Sequence, residues 1–238
     1  MPAQSSSTLI FVTSAQQPSV IQYQDDCFLP QALSNYLCLL GWSHPDEKDV
    51  FTNEEVISLF DLNRFNKAPA LYDLKKLDWI NGQHLKNLSF DEVLDHAYSS
   101  EDLKRRLQNH SSEWQQTFIE IFLEKVQKIN ELIHFYDFSL SKNIELGDSE
   151  KEVLEWETTP TILSYLSNEL KEMDSDHVTS ETFESWMGTL KKEYKVKGKS
   201  LFMGVRVCLT GACHGGDLKR LIPLIPRETL LERVNQLV

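Results

Sequence analysis

Leu29-Pro30-Gln31-Ala32-Leu33-Ser34-Asn35-Tyr36-Leu37-Cys38-Leu39-Leu40-Gly41-Trp42-Ser43 reads as one amphipathic helix that carries its own start and stop signals. Leu29, Ala32, Leu33, Tyr36, Leu37 and Leu40 recur at helical spacing and put one apolar stripe on one face. Pro30 suits a first helical turn, where its missing N–H is not needed, and Gly41 suits the stop. The same signals recur along the chain. Thr52 to Glu55, Ser89 to Glu92, Ser112 to Gln115 and Ser149 to Glu152 each fit the box in which the third helical residue reaches back to the cap backbone, so each predicts a helix start. Residues 112–136 make the longest helical candidate, with Trp114, Phe118, Ile121, Phe122, Ile129, Leu132 and Ile133 over a broad apolar surface. Pro223 and Pro226 interrupt the chain before a last amphipathic helix carrying Leu230, Leu231, Val234 and Leu237. No convincing strand pair is present, and the expected fold class is all-α.

With 238 residues, 41% of them hydrophobic, the chain can bury one large core or two to three small ones. Cys27, Cys38, Cys208 and Cys213 lack the second Cys/His pair of a zinc site, and read as reduced, half-buried residues of an intracellular protein. No apolar run approaches the roughly 20 residues that span a bilayer. Residues 1–24 hold no lysine or arginine, unlike a transit peptide, so a cytoplasmic location and no membrane partner are expected.

The net charge of -12 argues on its face against a polyanionic partner. The distribution of that charge points the other way. Lys191, Lys192, Lys195, Lys197, Lys199, Arg206, Lys219 and Arg220 stand within one stretch against only Glu193 and Asp217, whereas residues 143–184 are strongly acidic. A surface divided in this way orients a polyanion and repels it from the wrong face.

Three segments carry a family resemblance. Lys197-Gly198-Lys199-Ser200-Leu201-Phe202-Met203-Gly204-Val205-Arg206-Val207-Cys208-Leu209-Thr210-Gly211, followed by His214-Gly215, resembles G-K-x-L-F-M-P-x-R-V-x-L-T-G with HG soon after. Leu29 to Ser43 resembles L-P-E-A-L-x-N-Y-L-x-L-L-G-W-S. Phe60 to Ala70, then Lys76-Leu77-Asp78-Trp79-Ile80-Asn81-Gly82, is similar to F-D-L-x-R-x-x-K-x-P-A and K-L-D-W-x-N-G. These patterns, in this order over residues 19–238, resemble the glutamyl-tRNA synthetases of class I.

The H-x-G-H motif of the family's nucleotide fold does not occur in the chain, and Ile10 to Gln16 takes the place of its K-L-S-K-R-H-G loop without a cation. Transition-state charge on a transferring phosphoryl or adenylyl group needs positioned cations and donors. The chain alone is therefore expected not to aminoacylate. It is expected to hold no cofactor, ATP and magnesium belonging to the catalytic domain, and no metal.

The resemblance implies a lead-in over 1–18, a helical stem-contact domain over 19–100, and a two-part helical anticodon-binding cage over 101–165 and 166–238. Stem contact would fall to Arg64, Lys67, Lys75, Lys76 and Lys86, with Asn81 and His84 beside a tight Asn81-Gly82 turn, since cations on a rigid surface fix register on phosphates. Leu77 and Trp79 read as core. Anticodon contact would fall to Arg206, whose planar fork both stacks and donates, with Thr210, Gly211, His214, Gly215 and Leu218 around it and Lys125 and Lys128 on the long helix. Leu201, Phe202, Met203, Val205, Val207 and Leu209 read as core. Gly204 and Gly216-Asp217 replace the family's prolines and its H-G-P-E, which predicts looser turns.

The implied partners are tRNA for glutamate and a catalytic synthetase half, bound by a monomer. Two readings stay open: the tRNA-binding C-terminal part of a glutamate–tRNA ligase, or a free-standing non-catalytic paralogue that binds RNA or protein.

Overall fold

The computed structural model describes residues 19–65 and 71–238, and every regular element among them is helical. Lys67 and the lead-in expected over 1–18 lie outside the described residues. The chain divides into two compact units, one of residues up to 100 together with 126–130, the other of 101–125 and 131–238.

The first unit contains α1 (Val20–Asp25), α2 (Pro30–Gly41), α3 (Asn53–Leu59), α4 (Leu74–Lys86) and α5 (Phe90–Ser99). The expected capping boxes at Thr52/Glu55 and Ser89/Glu92 are both closed, and open α3 and α5. Pro30 starts α2 and Gly41 ends it. Helix α2 packs on α4, burying Ala32 and Tyr36 on one side and Leu77, Ile80 and Leu85 on the other. Its buried face is rotated from the expected stripe. Leu37 is exposed, while Asn35 is buried, its Oδ1 accepting from Phe51 N at 3.1 Å and lying 2.9 Å from His84 Nε2, its Nδ2 donating to Asp49 O at 3.1 Å. A buried amide fits a core when its partners are in place, but no hydrophobic pattern marks it.

The second unit contains α6 (Glu101–Leu107), α7 (Ser112–Phe122), α8 (Leu132–Leu140), α9 (Asp148–Leu154), α10 (Thr159–Glu172), α11 (Ser180–Lys192), α12 (Gly198–Thr210), α13 (Leu218–Leu221) and α14 (Arg227–Gln236). Helices α9, α10, α12 and α14 form its centre, closed over Ile162, Leu166, Val205, Leu209, Leu230 and Val234. The expected boundary near residue 165 falls inside α10, which packs on α9, α12 and α14.

Several expectations are corrected. The helix expected over 112–136 is broken: α7 stops at Phe122, and Val126 and Ile129 are buried as part of the first unit. Within α7, Trp114, Phe118 and Phe122 meet at helical spacing with ring centroids 5.1 Å apart at each step, the first pair stacked and the second tilted by 55°. Its cap is Ser111 rather than Ser112, because Gln115 turns inward and donates to Leu107 O and His110 O. Helix α9 starts after Gly147 with no side-chain cap. Trp79 is exposed on α4, unlike Leu77.

The two glycines that stand for family prolines are packing devices. A Cβ on Gly204, in the middle of α12, would stand 2.6 Å from Ile162 Cδ1, and one on Gly216 would stand 2.2 Å from Ile121 Cγ2. The backbone lies close to its neighbours at these points because the side chains are missing.

Candidate nucleic-acid interface

Helix α12 and the turn that follows it, residues 211–217, organise most of the residues expected to contact an anticodon. Gly211 ends the helix with φ of 69°, and a Cβ there would stand 1.9 Å from Ile144 Cγ2, so both backbone and packing demand glycine. Thr210 is buried; its hydroxyl donates to Arg206 O at 2.7 Å and accepts from Ala212 N at 3.3 Å, joining the helix end to the turn. Cys213 N donates to Glu150 Oε1 at 2.8 Å, which holds that carboxyl below its usual range.

Arg206 reaches across the turn and donates from Nη2 to Gly216 O at 2.9 Å. Burial pushes its guanidinium pKa down. A Cβ on Gly215 would stand 2.8 Å from Arg206 Nη1, so the glycine makes room for the guanidinium rather than for a ligand. Lys125 donates to Gly215 O at 3.0 Å, so the structure brings it to this turn. His214 is exposed at the tip. Leu218 is buried and starts α13, whose cap Asp217 accepts from Lys219 N at 3.0 Å.

Around this frame the cations are solvated or paired at the surface. Lys191, Lys192, Lys195, Lys197 and Lys199 are exposed at the end of α11 and the start of α12. Lys219 pairs with Glu184 at 2.5 Å, which raises its pKa, and Arg220 pairs with Glu120. Between α11, α12 and the start of α13 lies an open recess of about 350 Å³, lined by Phe183, Met187, Phe202, Met203, Arg206 and Leu218, with Glu184, Asp217 and Lys219 at its edge. Phe202 is 63% exposed, so one of the six residues read as core is not core. The spacing of Phe202 and Arg206, four residues apart on one helix, was the available signal.

Lys128 does not join this group. It belongs to the first unit, where it pairs with Asp78 at 3.4 Å and lies 4.9 Å from the centroid of the Phe28 ring.

The residues expected to contact a stem separate in the same way. Lys75 is exposed on α4 and Lys86 is half-buried at its last turn. Arg64 donates to Ser43 O and His44 O, and Lys76 pairs with Asp49 at 2.8 Å, so both tie local loops. Asn81 and His84 are buried within α4, and Asn81-Gly82 is not a turn. Asn81 Oδ1 accepts from Leu29 N at 2.8 Å and its Nδ2 donates to Gln127 O at 2.6 Å; burial also pushes the His84 pKa down. These two are internal struts, since neither is placed to meet a phosphate.

Residues 90–238 match the family of the anticodon binding domain. The chain belongs to that family. Residues 13–79 match a second family, the catalytic domain of class I tRNA synthetases for E and Q, so this similarity begins six residues before the described segment. Among curated proteins the chain is 35% identical over 220 residues to a glutamate–tRNA ligase of Bacillus subtilis, and 34% identical to that of Bacillus pumilus; each alignment covers 91% of this chain and 45% of the relative. The chain thus spans about half the length of the curated relatives it matches, and corresponds to their C-terminal half. The fold is that of the glutamate–tRNA ligase from Elizabethkingia meningosepticum, with a TM-score of 0.75 at 23% identity, and of the glutamate–tRNA synthetase from Elizabethkingia anophelis, with a TM-score of 0.72 at 24% identity. Each comparison covers 95% of this chain and 44% of the other.

No helix among the described residues is long and apolar enough to cross a membrane.

Proposed function

We propose that this chain is the tRNA-binding part of a glutamate–tRNA ligase, reading the anticodon of glutamate tRNA and contributing to its charging. The observation that carries the reading is the braced turn after α12, with Arg206 held against Gly216 and Lys125 against Gly215, within the stretch that matches the anticodon binding domain. Single-stranded loop bases are read by stacking and by hydrogen bonds to their edges, and a rigid backbone turn beside an arginine supplies both. The exposed lysines from Lys191 to Lys199 would hold the phosphates and make binding salt-sensitive. The test is equilibrium binding of the purified chain to glutamate-accepting tRNA and to an unrelated tRNA at low and moderate salt. Selective binding that weakens as salt rises is expected, with Arg206→Ala lowering affinity by about tenfold or more, as loss of a base-contacting arginine does. Equal affinity for both tRNAs would remove this reading.

A catalytic half is the second proposed partner. Among the described residues, large exposed apolar side chains concentrate in the stretch that matches the catalytic-domain family: Val20, Ile21, Ile57, Leu62, Leu71 and Trp79 are each more than a third exposed. Exposed apolar side chains concentrated in this stretch support a protein partner there. The chain is expected to co-elute with a separately produced N-terminal half of the Bacillus subtilis ligase, and Ile57→Glu with Leu62→Glu to abolish that. Separate elution of the unmodified proteins would refute the partnership.

A further inference from the structure

Phe202 lies on α12, between Leu201 at 2% exposure and Val205 at 1%, yet is itself 63% exposed. It lines the recess whose floor is Phe183, Met187, Met203 and Leu218, one turn before Arg206. We propose that Phe202 is a stacking platform for an unpaired base of the bound RNA, a base-binding residue that deepens the tRNA-binding reading and rests on it.

The chemistry of the recess selects a base over the other parts of an RNA. A phenyl ring offers a π face and no hydrogen bond, which suits the flat face of any base. The edge of the recess carries cationic donors, Arg206 and Lys219, alongside carboxylates, Glu184 and Asp217. These charges balance, and Lys219 already pairs with Glu184, so a phosphate gains little here, whereas mixed donors and acceptors meet the edge of a base, which presents both. Phosphates have their own track at the start of this helix and in the segment just before it, where Lys195, Lys197 and Lys199 are exposed with no carboxylate among them. The backbone and the floor are therefore built to present the ring outward, with its neighbours Leu201 and Val205 anchoring the helix in the core.

The experiment uses glutamate-accepting tRNA carrying 2-aminopurine at each anticodon position in turn, bound to the wild-type chain and to the Phe202→Ala and Phe202→Tyr variants. Wild-type protein is expected to change the fluorescence at one position. Phe202→Ala is expected to weaken binding by about 5- to 150-fold, the loss that follows removal of one base-stacking aromatic, and to abolish that change. Phe202→Tyr, which keeps the ring, retains both. The slope of affinity against salt stays as in the wild type, because no cation is lost. If Phe202→Ala binds as tightly as wild type with the same fluorescence change, the platform is refuted while tRNA binding stands. If it weakens binding only through a shallower salt slope, the ring acts through the basic surface and the proposal also falls. Failure of the wild-type chain to bind tRNA at all is a different result, and removes the tRNA reading itself.

Discussion

Arg233→Met is expected to destabilise the second unit by about 3–5 kcal/mol, among the largest effects a single substitution produces. Arg233 is 1% exposed, on α14, and no carboxylate among the described residues pairs with it. Its guanidinium donates instead to carbonyls: Nε to Ser141 O at 2.9 Å, Nη1 to Leu209 O at 3.2 Å, and Nη2 to Phe138 O at 2.8 Å, Ser139 O at 3.0 Å and Ser141 O at 2.6 Å. These acceptors lie at the C-terminal ends of α8 and α12, where the last carbonyls lack helical partners and carry the negative end of the helix dipole. One cation thus satisfies two helix ends. Desolvation acts against it and pushes its pKa down to about 10, but the carbonyls surrounding it replace the lost water. Methionine fills much of the same space and leaves those carbonyls without donors. The check is urea denaturation followed by near-ultraviolet circular dichroism, and a midpoint shift worth less than about 1 kcal/mol would show that the carbonyls find other partners. Since Leu209 precedes the turn at Gly211, the same substitution is expected to weaken tRNA binding indirectly.

Asn81→Leu is expected to cost the first unit about 2–4 kcal/mol. The Asn81 amide accepts from the backbone at Leu29, where α2 begins, and donates to the backbone at Gln127. Leucine is close in volume but answers neither group, so a buried N–H and a partly buried C=O lose their partners together. Gly82 reinforces the second contact, since a Cβ there would stand 3.2 Å from Gln127 Cα. Asn81→Asp is no rescue: it keeps the acceptor toward Leu29 but turns a carboxylate oxygen toward the Gln127 carbonyl. Hydrogen exchange at the Leu29 amide reports the effect directly. Unchanged protection in Asn81→Leu would mean that the helix start holds without this bond.

Both residues show what local patterning misses. Arg233 lies in the last turn of an amphipathic helix, where nothing in the sequence singles it out, and Asn81 beside a glycine, which reads as a turn. Such signals are local. The actual partners are separated by 92 to 95 residues for the bonds of Arg233 to 138–141, and by 46 and 52 residues for Asn81. The break in the 112–136 helix has the same origin: its apolar surface continues through Ile129, but burial of Val126 and Ile129 in the first unit prevails over helix continuity there.

The helical class, the starts of α2, α3 and α5, and the family are legible along the chain alone. Apolar spacing, capping residues and Pro/Gly punctuation act within a few residues, and the motifs of α2 and α12 are contiguous. Arg206, Thr210, Gly211 and Gly215 also share one segment, and the structure gathers them with Lys125 at one turn. Which polar groups face inward and which apolar ones face out is settled only by how the helices pack. Asn35, Asn81, His84 and Arg233 are buried because distant backbone or side-chain groups answer them, while Phe202 and Trp79 are exposed because no neighbouring helix among the described residues covers that side of α12 or α4. Burial is a property of what folds back against a residue, and a pattern read along one helix carries no information about the helix that arrives.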